Sequence, residues 1–223
     1  LPPALILFDI DGTLVRRAGP HHRQALVDAV RNITGRETTT EGIPVHGMLD
    51  PDILTRMMRA VQMSADEIAE AMPQVIEAAQ DLYVAAVPDL RDKTCPGAAV
   101  LLDKLSQRGT VLALVTGNLT RIGWRKLERA GLHRYFRYGA FGEMAATRGG
   151  LARLAIERAE SEGLIDGNGS IWLIGDAPQD VQAARENGIR SIAVRTGITD
   201  PQELAACSPD VLLDDLTHFD LSW

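Results

Sequence analysis

Only two cysteines, Cys95 and Cys207, occur in 223 residues. They are too few for a disulfide framework, and their spacing is no zinc pattern. Aromatic residues make up 4% of the chain, so no base-stacking platform stands out, and Trp124 and Tyr83 are the side chains left to contribute one. Lysine is scarce: Lys93, Lys104 and Lys126 stand against twenty arginines, a ratio that codon bias explains. No apolar run approaches the ~20 residues of a membrane-spanning helix. Leu1-Pro2-Pro3 reads as neither a signal nor a transit peptide. Neither the dinucleotide nor the P-loop glycine fingerprint occurs, and no internal repeat is visible. A basic excess is also missing. The net charge of −7 makes nucleic acids unexpected partners. These absences lead to an expectation of a cytoplasmic protein, a monomer or homodimer, that binds neither membrane nor nucleic acid.

What is present is an ordinary globular composition, 45% hydrophobic and 24% charged. Short apolar runs at 4–8, 111–115, 171–174 and 191–194, with a weaker one at 211–213, read as buried parallel strands. Between them the period turns helical. Leu101, Leu102 and Leu105 lie on one face before Gly109. Leu151, Leu154, Ala155 and Ala159 precede Gly163, and Val181 and Ala184 precede Gly188. This alternation predicts an α/β protein with a doubly wound, mostly parallel sheet and a Rossmann-like core. The first connection breaks the rhythm. About 100 residues separate the first two strands, where a crossover needs only about 30. The excess reads as a small helical cap, residues 15–90, inserted into a core of residues 1–14 and 91–223. One stripe runs through Ala25, Leu26, Ala29, Val30 and Ile33. A second follows Asp50-Pro51, expected as N-cap and N1. A third opens on a Ser64–Glu67 capping box, with Pro73 expected to kink or split it.

In open α/β sheets ligands bind beyond the carboxyl ends of the strands. Three strand ends carry polar residues: Asp9-Ile10-Asp11-Gly12-Thr13, Thr116-Gly117-Asn118, and Gly175-Asp176 with Asp180 four residues on. Asp9 and Asp11 are two apart, so an extended backbone sends both side chains the same way. Asp176 beside them concentrates negative charge, which favours a cation. Hard oxygen ligands with room for water and phosphate suit Mg²⁺.

Phe8-Asp9-Ile10-Asp11-Gly12-Thr13-Leu14 resembles the first signature of the haloacid dehalogenase superfamily of aspartate-nucleophile hydrolases. Thr116 after its strand resembles the second motif, and Gly175-Asp176 with Asp180 the fourth. The helical insert resembles the cap of the phosphoglycolate-phosphatase-like branch, and His46-Gly47-Met48-Leu49-Asp50-Pro51 resembles its cap loop. Two features depart from the pattern. No lysine follows Lys126, so Arg148, ahead of a helix, stands in for the usual third-motif lysine. Met48-Leu49 occupies a place where relatives often carry a basic and a small polar residue.

The resemblance implies a Mg²⁺-dependent phosphatase acting on a small phosphorylated metabolite through an aspartyl-phosphate. It makes Asp9 the nucleophile and Asp11 the acid and base. Asp9 and Asp176 hold the metal through side chains, and Asp11 through its backbone carbonyl. Thr116, Gly117, Asn118 and Arg148 hold the phosphate, and Asp180 orients this shell. Arg16, Arg17, His21 and His22, with Gly47 and Met48 of the cap loop, are candidate substrate contacts. His21 lies twelve residues after Asp9, a spacing that resembles the sugar phosphomutase branch. A phosphomutase, or a non-catalytic phospho-accepting or binding relative, is therefore the alternative.

Overall fold

The structure, a computed structural model, describes residues 5–16, 19–165 and 169–220. Leu1-Pro2-Pro3, Ala4 and Arg17 lie outside them. Six strands, β1 (Leu5–Phe8), β2 (Val111–Val115), β3 (Tyr138–Ala140), β4 (Ile171–Gly175), β5 (Arg190–Val194) and β6 (Val211–Leu213), form one sheet in the order β3-β2-β1-β4-β5-β6. All pairings are parallel. The chain winds outward from β1 through β2 to β3, then returns to lay β4 on the other side of β1. That reversal makes β1 the switch point of the sheet, where open α/β sheets bind ligands. This is the doubly wound α/β core expected from the sequence.

Alternation along the central strands sorts the two faces. Leu5, Leu7, Ala113, Val115 and Leu173 pack on helices α6 (Arg148–Ser161) and α7 (Pro178–Glu186) through Leu151, Ala152, Ala155, Ala183 and Ala184. Ile6, Phe8, Leu112, Leu114, Trp172 and Ile174 face the other way. Their apolar cluster continues into the helices inserted between β1 and β2: α1 (His21–Thr34), α2 (Asp50–Ala60) and α3 (Ala65–Ala86). Helices α4 (Ala98–Gln107) and α5 (Thr120–Ala130) cover the same face. A short α8 (Pro201–Ala206) joins β5 to β6. Among the described residues no helix is long and apolar enough to cross a membrane.

The insert is helical as expected, with local differences. Ser64 caps α3 in a full capping box, its backbone N–H donating to Glu67 at 2.7 Å and its hydroxyl accepting from the Glu67 N–H at 3.2 Å. Helix α3 runs unbroken through Pro73. Pro73 is exposed, and the buried Ile68, Val75, Ala79 and Tyr83 anchor both halves, so the missing hydrogen bond falls on the solvent face of the helix. The N-cap of α2 is Leu49, and Asp50 is its first helical residue, because the Asp50 carboxylate is engaged elsewhere. Ile33 and Leu154 fall outside the buried stripes and are exposed. Trp124 packs against Phe141 with ring centroids 5.6 Å apart, while Tyr83 is buried and lines the cavity described next.

Candidate active site

Sheet register assembles the site. Phe8 pairs with Leu114 on one side and Ile174 on the other, so the next residues of three strands emerge side by side. The Asp9 N–H donates to the Ile174 carbonyl at 2.9 Å, and the Thr116 N–H to Ala140 at 3.1 Å. Above them opens a cavity of about 720 Å³. Asp9, Asp11, Arg16, His21, Gly47, Met48, Thr116, Gly117, Asn118, Arg148 and Asp176 all line it, and Asp180 sits just behind. His22, Arg23, His46 and Lys126 complete its basic side chains.

The carboxylates fall into two groups. Asp9, Asp176 and Asp180 are buried, with carboxylate oxygens within 4.8 Å of one another. Arg148 is their fixed counter-ion. Its Nη1 donates to Asp9 Oδ1 at 2.8 Å, and its Nε lies 3.4 Å from Asp180 Oδ1. Nη1 also reaches the Val115 carbonyl at 3.3 Å. Thr147 presents Arg148 at the start of α6 by accepting a hydrogen bond from the Gly150 N–H at 3.0 Å. Asp180 accepts from the Ala177 N–H at 3.1 Å, so it caps α7 while facing the cluster.

Asp11 stands apart from this cluster, contrary to the expectation that Asp9 and Asp11 side chains share one direction. The strand ends at Phe8, and the chain then turns, with the N–H groups of Leu14 and Val15 both donating to the Ile10 carbonyl at 2.9 Å. Gly12 in this turn has φ 85°, and a side chain there would collide with the Asp176 carboxylate. Asp11 therefore turns toward α5. Lys126 Nζ lies 2.7 and 2.6 Å from its two oxygens, and Asn118 Nδ2 donates to Oδ2 at 2.7 Å. Lys126 is 3% exposed, yet nothing in the sequence reading assigned it a role. A signal was there: Ile122, Gly123, Lys126, Leu127 and Ala130 form the buried stripe of α5, and a lysine on such a stripe needs a partner. Asp50 is a second unanticipated buried charge, accepting from the Leu119 N–H and from His22 Nε2, both at 2.9 Å.

The electrostatics separate the groups further. Burial, then the neighbouring Asp9 and Asp180 charges, push the Asp176 carboxyl up to about 9. Burial and Asp9 raise Asp180 to about 7, against the opposing pull of Arg148. Asp11 goes the other way. Its desolvation is outweighed by Lys126, through charge and hydrogen bond, and by the Asn118 hydrogen bond, which hold it below the usual carboxylate range.

The cluster suits a hard cation. Asp176 Oδ2 and Asp180 Oδ1 are buried without a hydrogen-bond partner, and the nearest imidazole, His46 Nε2, is 3.6 Å from Asp176 Oδ2. One guanidinium faces three carboxylates, so an oxygen-seeking divalent ion fits both the donor set and the charge. In linkage terms, a carboxyl raised on folding adds stability that is full below its unfolded value of 3.8 and is lost as pH rises through about 9. Without divalent cations the melting temperature should therefore fall from pH 5 to pH 9. Added Mg²⁺ should raise it more at pH 9 than at pH 5, because it binds the ionised form. Thermal melts at the two pH values, with and without Mg²⁺, check this.

The cap-loop residues press directly on the second motif. The Asp50 N–H donates to the Gly117 carbonyl at 2.8 Å, and a side chain at Gly117 would run into the Met48 carbonyl. Gly117→Ala should cost on the order of 1–3 kcal/mol and lower turnover, because the backbone on either side must move apart. Calorimetry and steady-state kinetics on one preparation read both effects.

A family model described as haloacid dehalogenase-like hydrolase matches residues 6–185. The chain belongs to the haloacid dehalogenase-like hydrolase family. Within it this hydrolase is a member of the phosphoglycolate-phosphatase-like branch and stands among the phosphatases. It is 32% identical to phosphoglycolate phosphatase of Agrobacterium fabrum, over 95% of this chain and 88% of that one. It is 27% identical to phosphoglycolate phosphatase of Pseudomonas syringae pv. tomato, over 96% of this chain and 77% of that one. Its fold is similar to that of CbbY from Rhodobacter sphaeroides, solved in complex with phosphate. There the TM-score is 0.72 at 22% identity, covering 97% of this chain and 96% of the other.

Proposed function

We propose that this hydrolase cleaves a small phosphate monoester by transferring the phosphoryl group to Asp9 and then to water. The observation that carries the reading is the division of the carboxylates: Asp9 in a buried, Arg148-bound acidic cluster, and Asp11 apart from it on the cavity wall. An Asp9 oxygen attacks phosphorus and the bond to the leaving oxygen breaks, while Asp11 gives that oxygen a proton that it takes up when the anionic ester, a like charge beside it, offsets the pull of Lys126. Water then attacks the aspartyl-phosphate, Asp11 takes its proton, and Asp9 and inorganic phosphate are released. Arg148, the Thr116 hydroxyl and the backbone N–H groups at Gly117 and Asn118 hold the transferring oxygens. Mg²⁺ would be held by the Asp9 and Asp176 side chains and the Asp11 carbonyl. When bound, it neutralises the repulsion between the nucleophile and the anionic ester.

Residues 15–90 act in this reading as a cap on a core formed by residues 1–14 and 91–223, excluding water and selecting the leaving group. The substrate is a small phosphorylated metabolite met in the cytoplasm. Arg16, His21 and Arg23 line the cavity and suit a second anionic group on it. Phosphoglycolate, named for the curated relatives, has a carboxylate of that kind.

The test is hydrolysis of a panel of phosphate monoesters with Mg²⁺ and with EDTA. Turnover that EDTA abolishes supports the reading. Folded, Mg²⁺-loaded protein that releases no phosphate from any ester overturns it. Isomerisation of a sugar phosphate without phosphate release would move the assignment to a phosphomutase.

A further inference from the structure

Lys126 is a buried cation that the reaction above does not use. Each of its three protons has an acceptor: the Asp11 carboxylate, Asn118 Oδ1 at 2.6 Å and His22 Nδ1 at 3.1 Å. Nδ1 of His22 accepts from the ammonium, so Nε2 carries the ring proton and donates it to Asp50 Oδ2 at 2.9 Å. Asn118 is fixed in the same way. Its Oδ1 faces Lys126, and its Nδ2 donates to Asp11 Oδ2 and to Thr116 Oγ1, both at 2.7 Å. A continuous chain, Asp50–His22–Lys126–Asp11, thus runs from the start of α2, through α1 and α5, to the nucleophile loop. A lysine buried only for packing would be satisfied by any buried partner. This one ends on a carboxylate whose side chain stays 44% exposed toward the cavity.

From this geometry we propose that Lys126, braced by His22 and Asp50, is the positioning residue for Asp11 on the leaving-group side of the site. The proposal rests on the reading of Asp11 as proton donor to the leaving oxygen. Proton transfer requires the donor within about 2.6–3.2 Å of the acceptor, and a misplacement of about 1 Å can cost on the order of 10²-fold. An aspartate on a turn has two free side-chain torsions. The Lys126 and Asn118 contacts fix both, and the ammonium offsets the Asp11 charge where an anionic ester must enter. Arg148 and Lys126 then divide the work, the first holding the nucleophile and the second the proton donor.

Leaving-group dependence tests this. An ester such as p-nitrophenyl phosphate departs as a stable phenolate and needs little protonation, whereas an alkyl phosphate needs a well-placed acid. Lys126→Met keeps the length of the stem and removes the ammonium. It should lower kcat/KM for an alkyl phosphate by about 10²-fold and for p-nitrophenyl phosphate by less than about 5-fold, steepening the dependence on leaving group. His22→Phe removes the brace, one of the three acceptors of the Lys126 ammonium, and keeps the ammonium itself on Asp11 and Asn118. It should show the same selectivity at smaller size, and it serves if Lys126→Met does not fold. Equal losses on both esters, or none on either, would overturn the proposal and leave Lys126 a structural cation. Wild-type protein that hydrolyses neither ester would instead refute the phosphatase reading beneath it.

Discussion

Asp9→Asn should abolish turnover, by on the order of 10⁶-fold, the scale on which loss of an attacking side chain registers. The amide retains size and shape but offers no anionic oxygen to phosphorus. Its effect on stability should be small or favourable, which is what makes the substitution informative. Two changes oppose each other. The Asp9–Arg148 pair at 2.8 Å loses its charge, but Arg148 keeps Asp180 at 3.4 Å and a neutral Asn oxygen. At the same time one of three mutually repelling carboxylates disappears, and Asp9 is the largest charge pushing Asp176 up. Without divalent cations the variant should therefore melt at or above the wild-type temperature, with the gain greatest at alkaline pH, where Asp176 ionises. A second readout is the phosphoenzyme. Wild-type protein quenched during turnover should yield a phosphorylated peptide containing Asp9, and the variant none. Full turnover in Asp9→Asn would remove Asp9 from the chemistry altogether.

Much of this arrangement is legible in the residues, for physical reasons that also mark where legibility ends. The strands β1, β2 and β4 are buried on both faces, so they appear as bare apolar runs, and each is followed by the polar residues that parallel register then brings together. Strand β3 leaves no such run, since Tyr138-Gly139-Ala140 is three residues long with a central glycine lodged against Phe141 and Leu114. Helix α5 is masked differently. Arg121, Arg125, Lys126, Glu128 and Arg129 swamp its apolar stripe, and one of those charges is itself part of the buried face. The directions of Asp9 and Asp11 follow from alternation only while a chain stays extended, and the turn fixed by Gly12 ends that at once. Long-range partners such as Lys126 with Asp11, 115 positions apart, have no local signature beyond a charge where an apolar residue belongs. The same holds for Asp50, which its place before a proline marks as a helix cap, while its carboxylate serves His22 and the Leu119 N–H.

Arg148 should carry the largest stability effect in the molecule. Arg148→Met fills a similar space but leaves Asp9, Asp176 and Asp180 buried with no fixed cation. Breaking a buried pair by removing one partner costs about 3–5 kcal/mol, because the other charge is stranded; here Asp9 and the ionised fraction of Asp180 are stranded, while Asp176, raised to about 9, stays largely protonated at neutral pH. For a chain of this length that corresponds to a fall in melting temperature of roughly 10 °C. Turnover should collapse as well, since the guanidinium holds the nucleophile and, in the proposed reaction, the phosphate. Lysine should be an incomplete substitute. Its single ammonium can sit on Asp9 or on Asp180, whereas the guanidinium presents Nη1 to one and Nε to the other. The pH dependence gives the cause away. If the loss comes from unpaired carboxylates, the deficit of Arg148→Met must shrink toward pH 5, where the stranded groups take up protons, and widen toward pH 8. Mg²⁺ must recover part of it, since both cations address the same charge. A deficit that is flat with pH and indifferent to Mg²⁺ would mean that Arg148 matters through packing alone, and that the acidic cluster is balanced by something other than its only buried guanidinium among the described residues.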